Sequence, residues 1–488
     1  MARRKWYGRI LIFLQIVTAA GLAAAALFLL FRYAQYGQQE KEASGRSTKI
    51  QQKSREKRDE TEGGEQDAPG IPDTIRVRIL DQDFQHEYHT RVAVSCHEGF
   101  TVKKLSGDFT EETRTGREEK NTDAEEDADK ENDMDAEEDA DKNKDVAEKW
   151  CGTYSAEEVL EAEAGNLKQE DILCVEGENG AALVLESLRR GDGVPEYQGK
   201  LYLIGGAEGI TVINELPLEE YLCSVVSSEM PSDYPKEALK AQAVCARTYA
   251  ANCIKHQKDG AICEDLNDSV SFQVYNNYRC SENSRRAVEE TAGEILPLEE
   301  VQYYSTSCLS EQREDLGTDE AFEKFLAEAP KEGAQYGSPW LRWRAKLSLD
   351  DVLENLRKEY HVLEGQKIED ITVEERRGDG QVQALAVTCG DQIFEIEGEY
   401  QIRKILGNMQ LEIELLDGTV TSGMQLLPSA FFCLEKIEKG YAEIKGGGYG
   451  HGNGMSQCGA AEMADQGLDY RTILEYYYSV SVLKSSTR

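Results

Sequence analysis

No Cys-x-x-Cys pair occurs among the 12 cysteines of this 488-residue chain. That excludes a zinc ribbon and a thioredoxin-type redox motif. No three glycines stand at the G-x-G-x-x-G spacing, and no G-K-[ST] follows a glycine loop. Neither a dinucleotide fingerprint nor a Walker loop is therefore present. Positive charge is scarce as well: 55 Lys and Arg stand against 92 Asp and Glu, for a net charge of -37. A phosphate polymer would be repelled by such a surface, so nucleic acid is excluded as a partner.

Residues 111–142 carry 16 Asp/Glu and 5 Lys/Arg, and DAEEDADK occurs there twice, beginning at Asp123 and at Asp135. The stretch lacks the glycine at which a calcium loop turns, and lysines interrupt its carboxylates. Residues 108–149 read as a disordered acidic insertion in a surface loop. The scattered cysteines leave disulfides and free thiols equally open.

At the N-terminus, Arg3, Arg4, Lys5 and Arg9 precede an apolar run over residues 10–31. About 20 apolar residues span a bilayer as one helix. The leading cations hold residues 1–9 in the cytoplasm and place the bulk of the chain outside. A cleaved signal peptide is the alternative, but Leu27 to Phe31 carries the apolar run beyond any cut in the alanine-rich part. Polar residues 32–72 form a flexible linker. From Asp73 to residue 488, strand-like alternation and helical periodicity intermix, which predicts an α+β fold. Strands are expected over 74–80, 90–95, 172–175, 182–185, 201–204, 210–213, 270–275 and 301–304. Several more are expected between Ile371 and Ile413.

Residues 215–249 form the centre of the chain, as two helices with a tight corner. Pro217 and Pro235 suit the first turns, and Met230-Pro231 closes the first helix. Leu218, Tyr221, Leu222, Val225 and Val226 recur as one core-facing stripe. Glu229 continues that stripe in the last helical turn. Burial and the negative end of the helix dipole both disfavour an ionised carboxyl there. A carboxyl still protonated near neutral pH can act as a general acid. Helix two, 235–255, carries Ala238, Ala241, Ala243, Ala246 and Ala250, small residues that permit close packing. Near the end of the chain, the run from Gly446 to Gln457 holds His451 on an open glycine loop leading into a helix.

Three blocks together resemble the stage II sporulation protein D family, which includes amidase-enhancer relatives. They are LPLEEYLCSVVSSEMPSDYPKEALKAQAVCARTYA, FQVY with QYYSTSC, and GGGYGHGNGMSQCGA. The resemblance implies a membrane-anchored lytic transglycosylase of forespore engulfment. Such an enzyme cleaves the β-1,4 bond between N-acetylmuramic acid and N-acetylglucosamine in peptide-stripped strands, leaving 1,6-anhydro ends. A non-catalytic enhancer of a wall amidase is the alternative. The implied partners are peptidoglycan, the membrane and other engulfment proteins, including that amidase. The implied catalytic residue is Glu229. Gln242, Arg247, Tyr275, Ser305, His451, Ser456 and Gln457 are expected to bind substrate. Some family members hold zinc through a histidine and two cysteines. Here His256 and Cys263 match the first two ligands, but Phe272 stands where the second cysteine would. Cys280 and Cys308 are the alternatives. Two ligands do not close a zinc site, and the expectation is that no cofactor is required.

Overall fold

The computed structural model of the chain describes residues 71–105, 150–255, 264–330 and 336–484, apart from 83, 85, 170, 191, 192, 270, 271 and 276–279. The expected anchor at 10–31, the acidic insertion at 108–149, and His256 and Cys263 lie outside the described residues. No described helix is long and apolar enough to cross a membrane.

Period-two alternation builds the first layer. In strand Thr74–Ile79, Ile75, Val77 and Ile79 are fully buried and their neighbours are not, as one-sided packing requires. This strand pairs antiparallel with Ile210–Pro217, from Thr74↔Pro217 to Ile79↔Val212. The sheet has seven strands in the order Leu266–Asn267, Thr74–Ile79, Ile210–Pro217, Lys200–Gly205, Ile172–Gly177, Phe100–Leu105 and Gly152–Tyr154. A four-stranded sheet of Leu160–Glu163, Arg91–Ser95, Leu183–Leu185 and Glu196–Tyr197 contributes to the same core. The mixture of helix and sheet is the α+β architecture expected.

Eight α-helices occur among the described residues: α1 (Leu218–Glu229), α2 (Lys236–Lys255), α3 (Glu282–Glu290), α4 (Asp319–Ala327), α5 (Leu349–Glu359), α6 (Glu399–Leu406), α7 (Gln457–Asp465) and α8 (Tyr470–Tyr478). Helix α1 leaves the large sheet at Pro217, its N-cap. It stops at Met230, which is extended at φ -132° and ψ 139° because Pro231 follows. Leu218, Tyr221, Leu222, Val225 and Val226 are all buried. Each contributes roughly 2 kcal/mol to holding α1 in place. Helix α2 is the hub. Five of its six alanines, at 238, 241, 243, 246 and 250, are fully buried and Ala251 is nearly so, and α1, α3, α7 and α8 pack against it.

A second core lies between Trp343 and Ile444. It joins a five-stranded sheet, in the order Val420–Thr421, Ile413–Leu415, Trp343–Ser348, Tyr441–Gly446, Phe432–Glu438, to a three-stranded sheet of Asp370–Arg376, Val382–Cys389 and Gln392–Glu397. The several strands expected between Ile371 and Ile413 are present, and α6 stands among them. Gly398, at φ +82°, redirects the chain. Ile402, Ile405 and Leu406 then bury one helical face. Both ends of residues 305–454 come back to one place, because Tyr303–Tyr304 pairs in parallel with Met455–Ser456. The second unit is therefore rooted beside α1 and α2.

The strand expected at 270–275 does not form where the chain is described. Phe272, Gln273, Val274 and Tyr275 are irregular, and the Val274 amide is used by a side chain instead of a partner strand.

Candidate functional site

Glu229 is the last residue of α1 and is partly buried. Its Oε1 accepts the Val274 amide at 2.9 Å. The Tyr303 hydroxyl lies 3.4 Å from the same oxygen. Its Oε2 receives one donor, Gln457 Nε2, at 3.3 Å. Burial pushes the carboxyl above its usual range, and the three hydrogen bonds pull partly the other way. The better-held oxygen is Oε1, so Oε2 is left to carry a proton. All three partners are neutral.

A buried relay supports this arrangement. The Tyr221 hydroxyl donates to Gln273 Oε1 at 3.1 Å. Gln273 Nε2 donates to the Tyr303 hydroxyl at 3.1 Å and to the Ala246 carbonyl at 3.3 Å. Tyr303 can therefore point its own proton at Glu229. Burial, then the nearby Glu229 charge, holds the Tyr303 hydroxyl far above the usual phenol range, so it stays a donor. Tyr303, Gln273 and the Val274 amide were not singled out in the sequence. Tyr303 stands inside the QYYSTSC block, but 74 residues separate it from Glu229.

The glycine loop threads past this cluster. Gly450 is at φ +116°, and a Cβ there would lie 2.8 Å from Tyr304 Cβ. Only glycine lets the loop pass so close. His451 uses both ring nitrogens. Nε2 donates to the Tyr303 carbonyl at 2.9 Å, and Nδ1 accepts the Asn453 amide at 3.2 Å. Burial lowers its pKa, with the Tyr303 carbonyl opposing. Neutral His451 is therefore a clamp on Tyr303.

The expected substrate-binding residues divide. Gln457 touches Glu229 directly. Gln242 is fully buried and reaches the cluster only through Gln457, whose Nε2 lies 3.5 Å from Gln242 Oε1. The Ser305 hydroxyl faces Thr306 Oγ1 at 3.2 Å, and its carbonyl accepts the Cys458 amide at 3.0 Å. Three expectations need correction. Arg247 is fully buried, paired with Glu219 at 2.7 Å and bonded to the carbonyls of Val288 and Glu294. Its donors are committed to holding α2 against α1 and the end of α3. Tyr275 is buried in a ring cluster with Tyr221 and Tyr197, its hydroxyl donating to Asn214 at 3.0 Å. The Ser456 hydroxyl caps α7 through the Gly459 amide at 3.1 Å. Each is a core or capping residue.

Of the residues weighed for zinc, Cys280 is disulfide-bonded to Cys223 of α1 and Cys308 is buried in an apolar cluster. His256 and Cys263 lie outside the described residues. Phe272 is 38 % exposed. Among the described residues, no group of three or more His, Cys, Asp or Glu could hold a metal ion.

Residues 206–297 match a family described as stage II sporulation protein. Residues 298–454 match a domain of unknown function, DUF8618. The chain is 31 % identical to the stage II sporulation protein D of Bacillus amyloliquefaciens over 291 residues, covering 54 % of this chain and 74 % of that one. It is 30 % identical to an uncharacterised protein of Brachyspira hyodysenteriae, covering 58 % and 71 %. It is 26 % identical to the amidase enhancer of Bacillus subtilis, covering 54 % of this chain and 40 % of that one.

Proposed function

Because the chain belongs to the stage II sporulation protein D family, we propose that it is a peptidoglycan lytic transglycosylase with Glu229 as its single acid and base. The observation that carries the reading is the Glu229 environment. Its carboxyl is raised by burial and meets an amide, a hydroxyl and a carboxamide, with no second carboxylate among them.

An ordinary glycosidase places two carboxyl groups across the scissile bond. A transglycosylase needs one, because the substrate supplies its own nucleophile. Glu229 Oε2 gives its proton to the glycosidic oxygen as the bond from C1 of N-acetylmuramic acid breaks. The 6-hydroxyl of the same sugar closes on C1. The carboxylate then takes the 6-hydroxyl proton and returns to its starting state. No water is consumed. Tyr303 and Val274 keep Oε1 occupied, which directs the proton traffic to Oε2.

The membrane anchor at 10–31 would hold this domain in the space between mother-cell and forespore membranes, beside a wall amidase that strips the stem peptides. A second reading, a wall-binding enhancer of that amidase, is favoured by the similarity to the amidase enhancer. Digestion of peptide-free strands in H2(18)O separates the readings. The transglycosylase produces anhydro ends without (18)O. A water-using muramidase produces reducing ends carrying it, and an enhancer produces no new ends.

A further inference from the structure

The second unit has its own core, yet two of its side chains reach the glycine loop. Gln381 is buried, and its Nε2 donates to the His451 carbonyl at 2.5 Å. Arg377 donates to Asn453 Oδ1 at 2.7 Å and to the Gly452 carbonyl at 3.0 Å. Both residues sit on the turn between strands Asp370–Arg376 and Val382–Cys389. That turn is braced from within. Arg377 and Gln381 share a backbone bond of 2.8 Å, and Asp379 accepts from Arg377 Nε at 2.9 Å and from the Gln381 amide at 3.2 Å. The loop is thus gripped by a rigid hairpin.

The grip continues to the acid. Asn453, held by Arg377, gives its amide to His451 Nδ1 and so fixes the proton on Nε2. His451 Nε2 then holds the Tyr303 carbonyl at 2.9 Å. Tyr303 in turn places its hydroxyl against Glu229.

We propose that the second unit is a positioning device for the acid, with Gln381 and Arg377 setting the place of Tyr303 through His451. This rests on the catalytic reading of Glu229 and adds a role for residues far outside the helix pair. The titratable groups facing Glu229 are Tyr303 and, behind it, Tyr221. Its other partners, Val274 and Gln457, are neutral.

The test is a double-mutant cycle between Gln381→Leu and Tyr303→Phe, with Arg377→Met as a second variant that spares the buried Gln381. The first readout needs no substrate. The Glu229 carboxyl is titrated by NMR on carboxyl-labelled protein and identified by its loss in Glu229→Gln. Gln381→Leu and Arg377→Met should each shift that titration upward, because a hydrogen bond to the carboxylate is loosened. In the Tyr303→Phe background they should shift it no further. In turnover, each single variant should lower kcat about tenfold with KM within about twofold. An unchanged Glu229 titration in Gln381→Leu, or shifts that add fully to those of Tyr303→Phe, would overturn the proposal. If the wild type makes no anhydro ends, the catalytic reading fails, while the titration still decides the positioning role.

Discussion

Val274 donates its backbone amide to Glu229 Oε1 at 2.9 Å across 45 residues of sequence. The bond ties an irregular segment to the last residue of a helix. It fixes one carboxylate oxygen and leaves the other for proton transfer. The acid is thus held by a backbone group that no substitution at position 274 other than proline removes.

Glu229→Gln should make the protein more stable at alkaline pH. Burial raises the Glu229 carboxyl above its ordinary value of 4.5. The folded chain therefore keeps a proton that the unfolded chain releases. Stability falls as pH rises from about 4.5 towards the folded value and is level above it. Glutamine has no such loss. Thermal unfolding at about pH 8 should show a higher Tm for the variant, and the gap should close near pH 4. A gap independent of pH would contradict the raised carboxyl.

Removing the hydroxyl in Tyr303→Phe should lower kcat about tenfold and leave KM within about twofold, since the sugar is not its partner. The alkaline limb of the rate profile should move to higher pH, because the lost bond favours the carboxylate. A shift to lower pH would show that water, admitted by the change, has replaced the hydroxyl.

The helix pair was legible because its punctuation is local. Pro217, Pro231 and Pro235 mark the ends, and the five-residue stripe pointed Glu229 inward. The glycine-loop block supplied Gln457 and His451, but the contacts that join them to Glu229, and the part played by Tyr303, were not legible, because these residues come from distant positions. Tyr303 and Gln457 approach Glu229 only once residues 305–454 have folded back on themselves. Residues 270–275 have strand-like composition, yet the Val274 amide serves a carboxylate. Arg247 and Tyr275 looked like ligands because polar tips on helices and motifs suggest binding. Their partners, Glu219 and Asn214, lie 28 and 61 residues away.

Arg247→Met should therefore act on folding and not on substrate affinity. Breaking a buried pair costs about 3–5 kcal/mol. Here Glu219 is partly exposed and can be rehydrated, so the lower end applies. Urea unfolding should report that loss, with KM of the folded fraction unchanged. A raised KM at unchanged stability would return Arg247 to the binding site.

The Cys223–Cys280 disulfide spans 57 residues and encloses Glu229 and the Val274 segment. Closing such a loop stabilises by about 4 kcal/mol in the chain-entropy account. Cys280→Ser should lower Tm, and a reductant should lower the wild type to the same value while leaving the variant unmoved. Peptide mapping without reduction should recover the 223–280 link. Finding both thiols free in oxidised protein would remove the tether.

The most direct measurement is the yield of 1,6-anhydro ends, by mass spectrometry, from peptide-free glycan strands incubated with wild type or Glu229→Gln. Loss of a general acid costs about 10²–10⁴-fold, so the variant should yield at least about a hundredfold fewer ends than wild type. Equal yields from the two proteins would contradict the assignment of Glu229 as the proton donor.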